Sequence, residues 1–117
     1  MRFYANWIGA LRAIDRSDEE GYEMFKELVG CFASDTIKSV NQGKRMIENE
    51  QDSIFVASLE IMFQTMEVFA EKFEACLVLE AWDKLDETWI DFEEFARDFE
   101  EELIMMAKKH DSLLAQV

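Results

Sequence analysis

His110 is the only histidine in this chain, and Cys31 and Cys76 are the only cysteines. These side chains could act as nucleophile, general base or metal ligand, and each such role needs a partner within reach. His110 stands among Lys108, Lys109 and Asp111, four residues after Met106. A cationic imidazole there suits the C-terminal end of a helix. A di-iron centre in a helical bundle needs two Glu-x-x-His pairs. The residue three before His110 is Ala107, and there is no second histidine. Cys76 falls on an apolar row and reads as a small core residue. Cys31 lies one residue off the Phe25, Val29, Phe32 face, with no local His or basic group to lower its thiol pKa. Gly9, Gly21, Gly30 and Gly43 are isolated and form no phosphate-binding loop. A carboxylate-only Mg²⁺ or Ca²⁺ site stays open, but no acidic segment has the EF-hand pattern. Carboxylate pairs say little in a chain with 26 Asp and Glu. The expectation is no enzyme: no catalytic residue, no cofactor and no metal centre.

The acids themselves are the more informative group. Residues 83–102 hold ten of them against Lys84 and Arg97, which makes −8 of the chain's −14. At 100° per residue, Glu87, Asp91, Glu94, Asp98 and Glu101 line one stripe, opposite the apolar side chains of the same segment. Successive members rise about 4.5–6 Å along a helix axis. Phosphates of one DNA strand advance about 3.4 Å, so a carboxylate row imitates a phosphate row crudely. Such a row can occupy Lys and Arg sites built for nucleic acid. The plain alternative is a solvated outer face. Against it, like charges at i,i+4 cost a few tenths of a kcal/mol per pair, and a chain selected only for folding would intersperse lysine. Ile90 and Met105 project onto the acidic side and Phe95 onto the edge of the apolar one, as apolar anchors in a charged interface would.

Helices must position these residues. The 117 residues hold no proline and only four glycines, too few for the turns of a β-rich domain. Half the residues are apolar, enough for one folded domain over 1–117 with a surface of roughly 6,600 Å². Phe3, Trp7, Ala10, Leu11 and Ile14 predict a helix over 3–14. Ser17 with Glu20 reads as a capping box for a second, about 18–33, in which Gly21 and Gly30 either weaken the helix or allow close packing. Ser34-Asp35-Thr36 reads as the N-cap cluster of a third, ending near Ile47, and residues 49–53 as a turn. Phe55, Leu59, Met62, Met66, Phe69, Phe73 and Cys76 then form an apolar seam on a long helix, about 53–80. Ile54, Ile61, Phe63 and Val68 sit off that seam, and a helix so apolar belongs at the centre of the fold. The seam loses phase, and a new one runs Leu85, Trp89, Phe92, Ala96, Phe99, Leu103, Met106. This predicts a reversal near 81–86, capped by Asp83 or Asp86, and a last helix over 86–109, with 111–117 frayed. The fold class is all-α: a compact bundle of four or five helices on a long antiparallel hairpin.

Charge sets the class of partner. Nucleic acid and anionic membranes are bound by clustered Lys and Arg, which this chain lacks, so neither is expected as a direct partner. No run approaches about 18 consecutive apolar residues, and no signal peptide is evident, so a cytoplasmic protein with reduced thiols is expected. A basic protein, such as a nucleic-acid-binding protein or nuclease, is the expected partner, with a homodimer also open. In size and charge the chain resembles small acidic helical phage proteins that oppose CRISPR or restriction systems. That resemblance lies in composition alone and carries no residue roles. The readings are then an acidic inhibitor of a basic nucleic-acid-binding site, an immunity protein for a basic nuclease toxin, or a structural helical adaptor or small subunit of an assembly.

Overall fold

The structure, a computed structural model, describes residues 3–115, with the side chains of residues 6–102 and of Ile104, Met105, Lys108, Lys109 and Ser112. Five helices follow in order: α1 (Phe3–Ala13), α2 (Glu19–Met46), α3 (Ser53–Val78), α4 (Trp82–Asp98) and α5 (Glu100–Ala115). No strand occurs among the described residues. The molecule measures 48 × 24 × 24 Å and exposes 7254 Å², more than the roughly 6,600 Å² expected, as an elongated shape must.

Helix α2 is the first departure from expectation. It runs unbroken through Ser34-Asp35-Thr36, where the sequence suggested a new start. Phe25, Val29, Phe32, Thr36, Val40, Gly43 and Ile47 are all buried, at steps of three and four. One continuous buried face therefore overrides the capping tendency of three small polar residues. Thr36 is buried with its Oγ1 unpartnered among the described residues. The cap of α2 is also one residue later than expected. Asp18 Oδ1 accepts from Gly21 N–H at 2.6 Å. Ser17 instead donates its N–H and hydroxyl to Asp15 Oδ1, at 2.9 and 2.6 Å. Those two hydrogen bonds, hydroxyl first, hold the Asp15 carboxyl below its ordinary pKa. Gly21 is present for close approach: a Cβ there would overlap the Asp15 carbonyl oxygen.

Residues 47–52 turn the chain back, within one or two residues of the predicted turn. Asp52 caps α3 by accepting from Phe55 N–H at 3.0 Å. The expected seam faces inward: Leu59, Met62, Met66, Phe73 and Cys76 are buried, and Phe55 and Phe69 pack against the core. Phe63, which projected off the seam, is fully buried as well. By length and composition alone α3 could cross a bilayer, although no long uninterrupted apolar run marks it. Its seven buried residues fill the bundle core, which demands the same apolarity.

The reversal into α4 falls at 79–81, at the leading edge of the predicted window of 81–86. Glu80 N–H donates to Leu77 O at 3.3 Å and Ala81 N–H to Cys76 O at 2.9 Å, the two bonds of a Schellman motif. Glu80 holds the left-handed position, φ 54°, usually taken by glycine. That conformation costs a residue with a Cβ about 1–2 kcal/mol. Glu80→Gly is therefore expected to raise stability by about 1 kcal/mol in chemical denaturation; a loss would show that the strain is offset by a Glu80 contact. Neither Asp83 nor Asp86 caps α4; the N-cap is Ala81, with no side-chain hydrogen bond.

The second arm of the hairpin is two helices, not the single one predicted over 86–109. Phe99 closes α4 with φ −116° and ψ 16°, and α5 starts at Glu100. Glu100, Glu101 and Glu102 thereby occupy the first turn of a helix, where the macrodipole favours negative charge. Fraying was expected from 111, but α5 continues to Ala115. The side chains of Leu103, Met106 and His110 lie outside the described residues.

Phe73 meets Trp89 and Phe92, and Phe69 meets Phe92 and Phe95, so α3 and α4 run antiparallel. Lys109 Nζ lies 4.9 Å over the Phe55 ring, so α5 continues down the same side of α3. Helix α2 packs on both arms: on α4 through Phe25–Trp89 and Phe32–Phe92, with centroids 5.5 and 5.4 Å apart, and on α3 through Phe32–Phe73 at 6.2 Å. Helix α1 closes the α2–α4 side. Trp7 packs on Phe32, and Arg12 bonds Glu93 at 3.4 Å.

Candidate partner-binding faces

Within α4 the helical projection holds. Leu85, Trp89, Phe92 and Ala96 are buried, while Glu87, Asp91, Glu94 and Asp98 are exposed on the opposite side. Glu101 is exposed too, but it belongs to α5, so the five-residue stripe is interrupted at Phe99. Cations reach only part of this acidic segment. Arg12 lies 3.4 Å from Glu93 and 3.9 Å from Glu100, Arg16 lies 3.8 Å from Asp86, and Lys84 lies 3.4 Å from Glu87. Among the described residues no Lys or Arg pairs with Asp91, Glu94, Asp98 or Glu101. Arg12 of α1 and Arg16 just after that helix thus balance the inner flank, and on the outer stripe the one pair among the described residues is Lys84–Glu87.

The inner flank carries the one large titration shift among the described residues. Tyr22 donates its hydroxyl to Asp86 Oδ1 at 3.2 Å, beside Arg16. Burial, and then the charge and hydrogen bond of Asp86, push the Tyr22 phenol up to about 12. The unfolded chain loses this proton near the ordinary 10.0, so only the unfolded state ionises between the two values. Stability from this group is intact below pH 10 and declines as pH rises to about 12. An alkaline titration of phenolate absorbance should show one late-titrating phenol, absent in Tyr22→Phe. A Tyr22 that titrates at the ordinary value would mean that the ring is neither buried nor held against Asp86 as described.

The apolar anchors divide. Ile90 is 56% exposed on the outer side of α4, as projected. Phe95 belongs elsewhere: it is half-buried, with its ring 5.7 Å from Phe69 and 5.1 Å from Phe99, on the side facing α3. Met105 departs from the projection. It lines a concavity with Ile54, Phe55 and Ser58 of α3, because the break at Phe99 ends the helical register on which the projection relied.

That concavity is half of a groove that the sequence did not reveal. Its upper part is lined by Ser58, Ile61, Met62, Thr65, Phe95, Phe99 and Glu102. Its lower part shares Ser58 and Glu102 and adds Asp52, Ile54, Phe55, Met105 and Lys109. Ile54 and Ile61 on its α3 lip are 80% and 67% exposed, and Val68, a further seven residues on, is also exposed. The signal available in the sequence was this heptad spacing of β-branched residues away from the core seam.

Among the described residues, those with nucleophilic or metal-binding chemistry are not gathered. Cys76 is buried, Cys31 is exposed, and both are free thiols. Among the described residues no three His, Cys, Asp or Glu are placed to hold a metal ion. No family model, curated protein or solved structure matches this chain.

Proposed function

We propose that this protein is a non-enzymatic inhibitor or interaction protein whose outer α4 face docks on a basic surface of a partner, one built to bind nucleic acid. The observation that carries this reading is the set of Asp91, Glu94, Asp98 and Glu101: exposed, and unpaired among the described residues, while Arg12 and Arg16 engage the other flank. Uncompensated charge of one sign steers a partner of the other sign and favours its arrival. Opposition to a CRISPR or restriction system and neutralisation of a nuclease toxin are two settings for this one mechanism. A toxin gene beside this one favours immunity, and phage genes favour the antagonist.

A second reading is a structural adaptor or small subunit that binds through α3. It is supported by Ile54, Ile61 and Val68, exposed in heptad register. Pull-down from the source cell at low and high salt separates the two. The acidic-face reading expects a basic partner whose capture falls as salt rises. A partner retained equally at both, with no basic surface, overturns it in favour of the adaptor.

A further inference from the structure

We propose that the groove between α3 and the α4–α5 arm receives an amphipathic helix of the partner. Apolar residues of that helix would seat on Ile61, Phe95 and Phe99, and its Lys or Arg residues would face Asp91, Asp98 and Glu102. This deepens the acidic-face reading and rests on it.

The two lips of the groove differ in chemistry. On α3 the lip is Ile54 and Ile61, and Val68 continues the row seven residues beyond it, all apolar and exposed. On the α4–α5 side Phe95 and Phe99 form the wall, and Glu102 lines it. Asp91 and Asp98 stand at i−4 and i+3 from Phe95, its neighbours on the helix surface. An occupant must therefore be apolar towards one lip and cationic towards the other. An amphipathic helix presents those two faces and uses a recurring mode of recognition, a helix in a groove. From Ile54 to Val68 this row on α3 spans about 21 Å, the length of a 14-residue helix. The cations already in place, Lys72 over Phe69 and Lys109 over Phe55, lie on aromatic rings towards the two ends and leave the acidic stretch between them open. A second copy of this chain fits less well, because two molecules of charge −14 would bring acidic lips together.

The test uses two synthetic helical peptides of equal length and charge. One carries leucine and lysine on opposite faces; in the other, alanine replaces each leucine. Binding of each is measured to the full chain and to Ile61→Gln/Phe99→Gln, which keeps the charge; both positions are exposed, and unchanged circular dichroism checks the fold. The leucine peptide should bind 1:1 and about tenfold more tightly than the alanine peptide, and the double variant should abolish that difference. Equal binding of the two peptides, with strong salt dependence, overturns the groove and leaves the acidic face standing. So does a leucine advantage that survives the double variant. A free protein that sediments as a dimer, dissociated by the double variant, assigns the groove to a second copy and overturns the proposal. Binding of neither peptide at low salt counts against the groove and against the acidic-face reading together.

Discussion

Phe92→Ala is expected to destabilise the fold by about 3–5 kcal/mol, the usual loss for a buried phenylalanine. Phe92 is fully buried where α2, α3 and α4 meet. Its ring centroid lies 5.4 Å from Phe32, 5.2 Å from Phe69, 5.8 Å from Phe73 and 5.7 Å from Trp89. The Phe69 and Phe73 rings meet it edge to face, the arrangement that the ring quadrupole favours. Alanine would leave a cavity walled by four aromatic rings, which cannot all close over it. A domain of this size is stabilised by about 5–15 kcal/mol in total, so this one truncation removes a large share. Phe99→Ala is the internal comparison: Phe99 is 45% exposed and should cost about 1 kcal/mol or less. Denaturant unfolding of the two variants measures both. A loss below about 1 kcal/mol from Phe92→Ala would mean that α4 does not pack across α2 and α3 as described.

Elements with one uninterrupted seam were legible from spacing alone, and α3 is the clearest. Its seam from Phe55 to Cys76 falls at steps of three and four, with Phe63 buried beside it, and the turn before it is polar. The α3–α4 reversal was legible only approximately. A phase break marks where two seams stop agreeing, whereas the chain turns at Glu80, a left-handed residue that carries no glycine signature. Helix α2 was divided wrongly because Ser34, Asp35 and Thr36 have capping chemistry, and local propensity yields when tertiary burial holds Ala33, Thr36 and Val40 on the core face. The break at Phe99 was invisible for the opposite reason: Phe99, Leu103 and Met106 keep the seam of α4 in register. That break then decides the site. Glu87, Asp91, Glu94 and Asp98 precede it and lie where projection put them, while Met105 follows it and lies in the groove instead. Phe95, at the edge of the projection, needed the packed Phe69 ring to assign its side.

Reversing the charge of Asp91, Glu94 and Asp98 together, to lysine, is expected to weaken partner binding tenfold to a thousandfold. Close charge pairs at interfaces couple by ~1.5 kcal/mol or more, and three are lost and made repulsive at once. The same change should not harm the fold. All three residues are exposed, and among the described residues none has an ion-pair partner to lose. In the parent, Asp91 stands four residues after Glu87 and three before Glu94, and Glu94 stands four before Asp98, so like charges repel along one face. Lysine at 91 would face Glu87 and relieve a few tenths of a kcal/mol there, while 91–94 and 94–98 stay like-charged pairs as they are in the parent. Thermal unfolding should therefore be unchanged or slightly later. An early transition would show that these carboxylates hold the fold and would void the binding comparison.

The most direct measurement is the affinity of the captured partner for the parent and for this triple variant, each at a low and a physiological salt concentration. Exposed charges are screened over about 8 Å at physiological ionic strength, so the parent should bind tightly at low salt and measurably less tightly at the higher one. The triple variant should bind at least tenfold more weakly than the parent at low salt. Unchanged affinity in both comparisons would contradict an electrostatic docking face on α4 and move the interface to the apolar side chains, with Ile61, Ile90 and Phe95 the next positions to substitute.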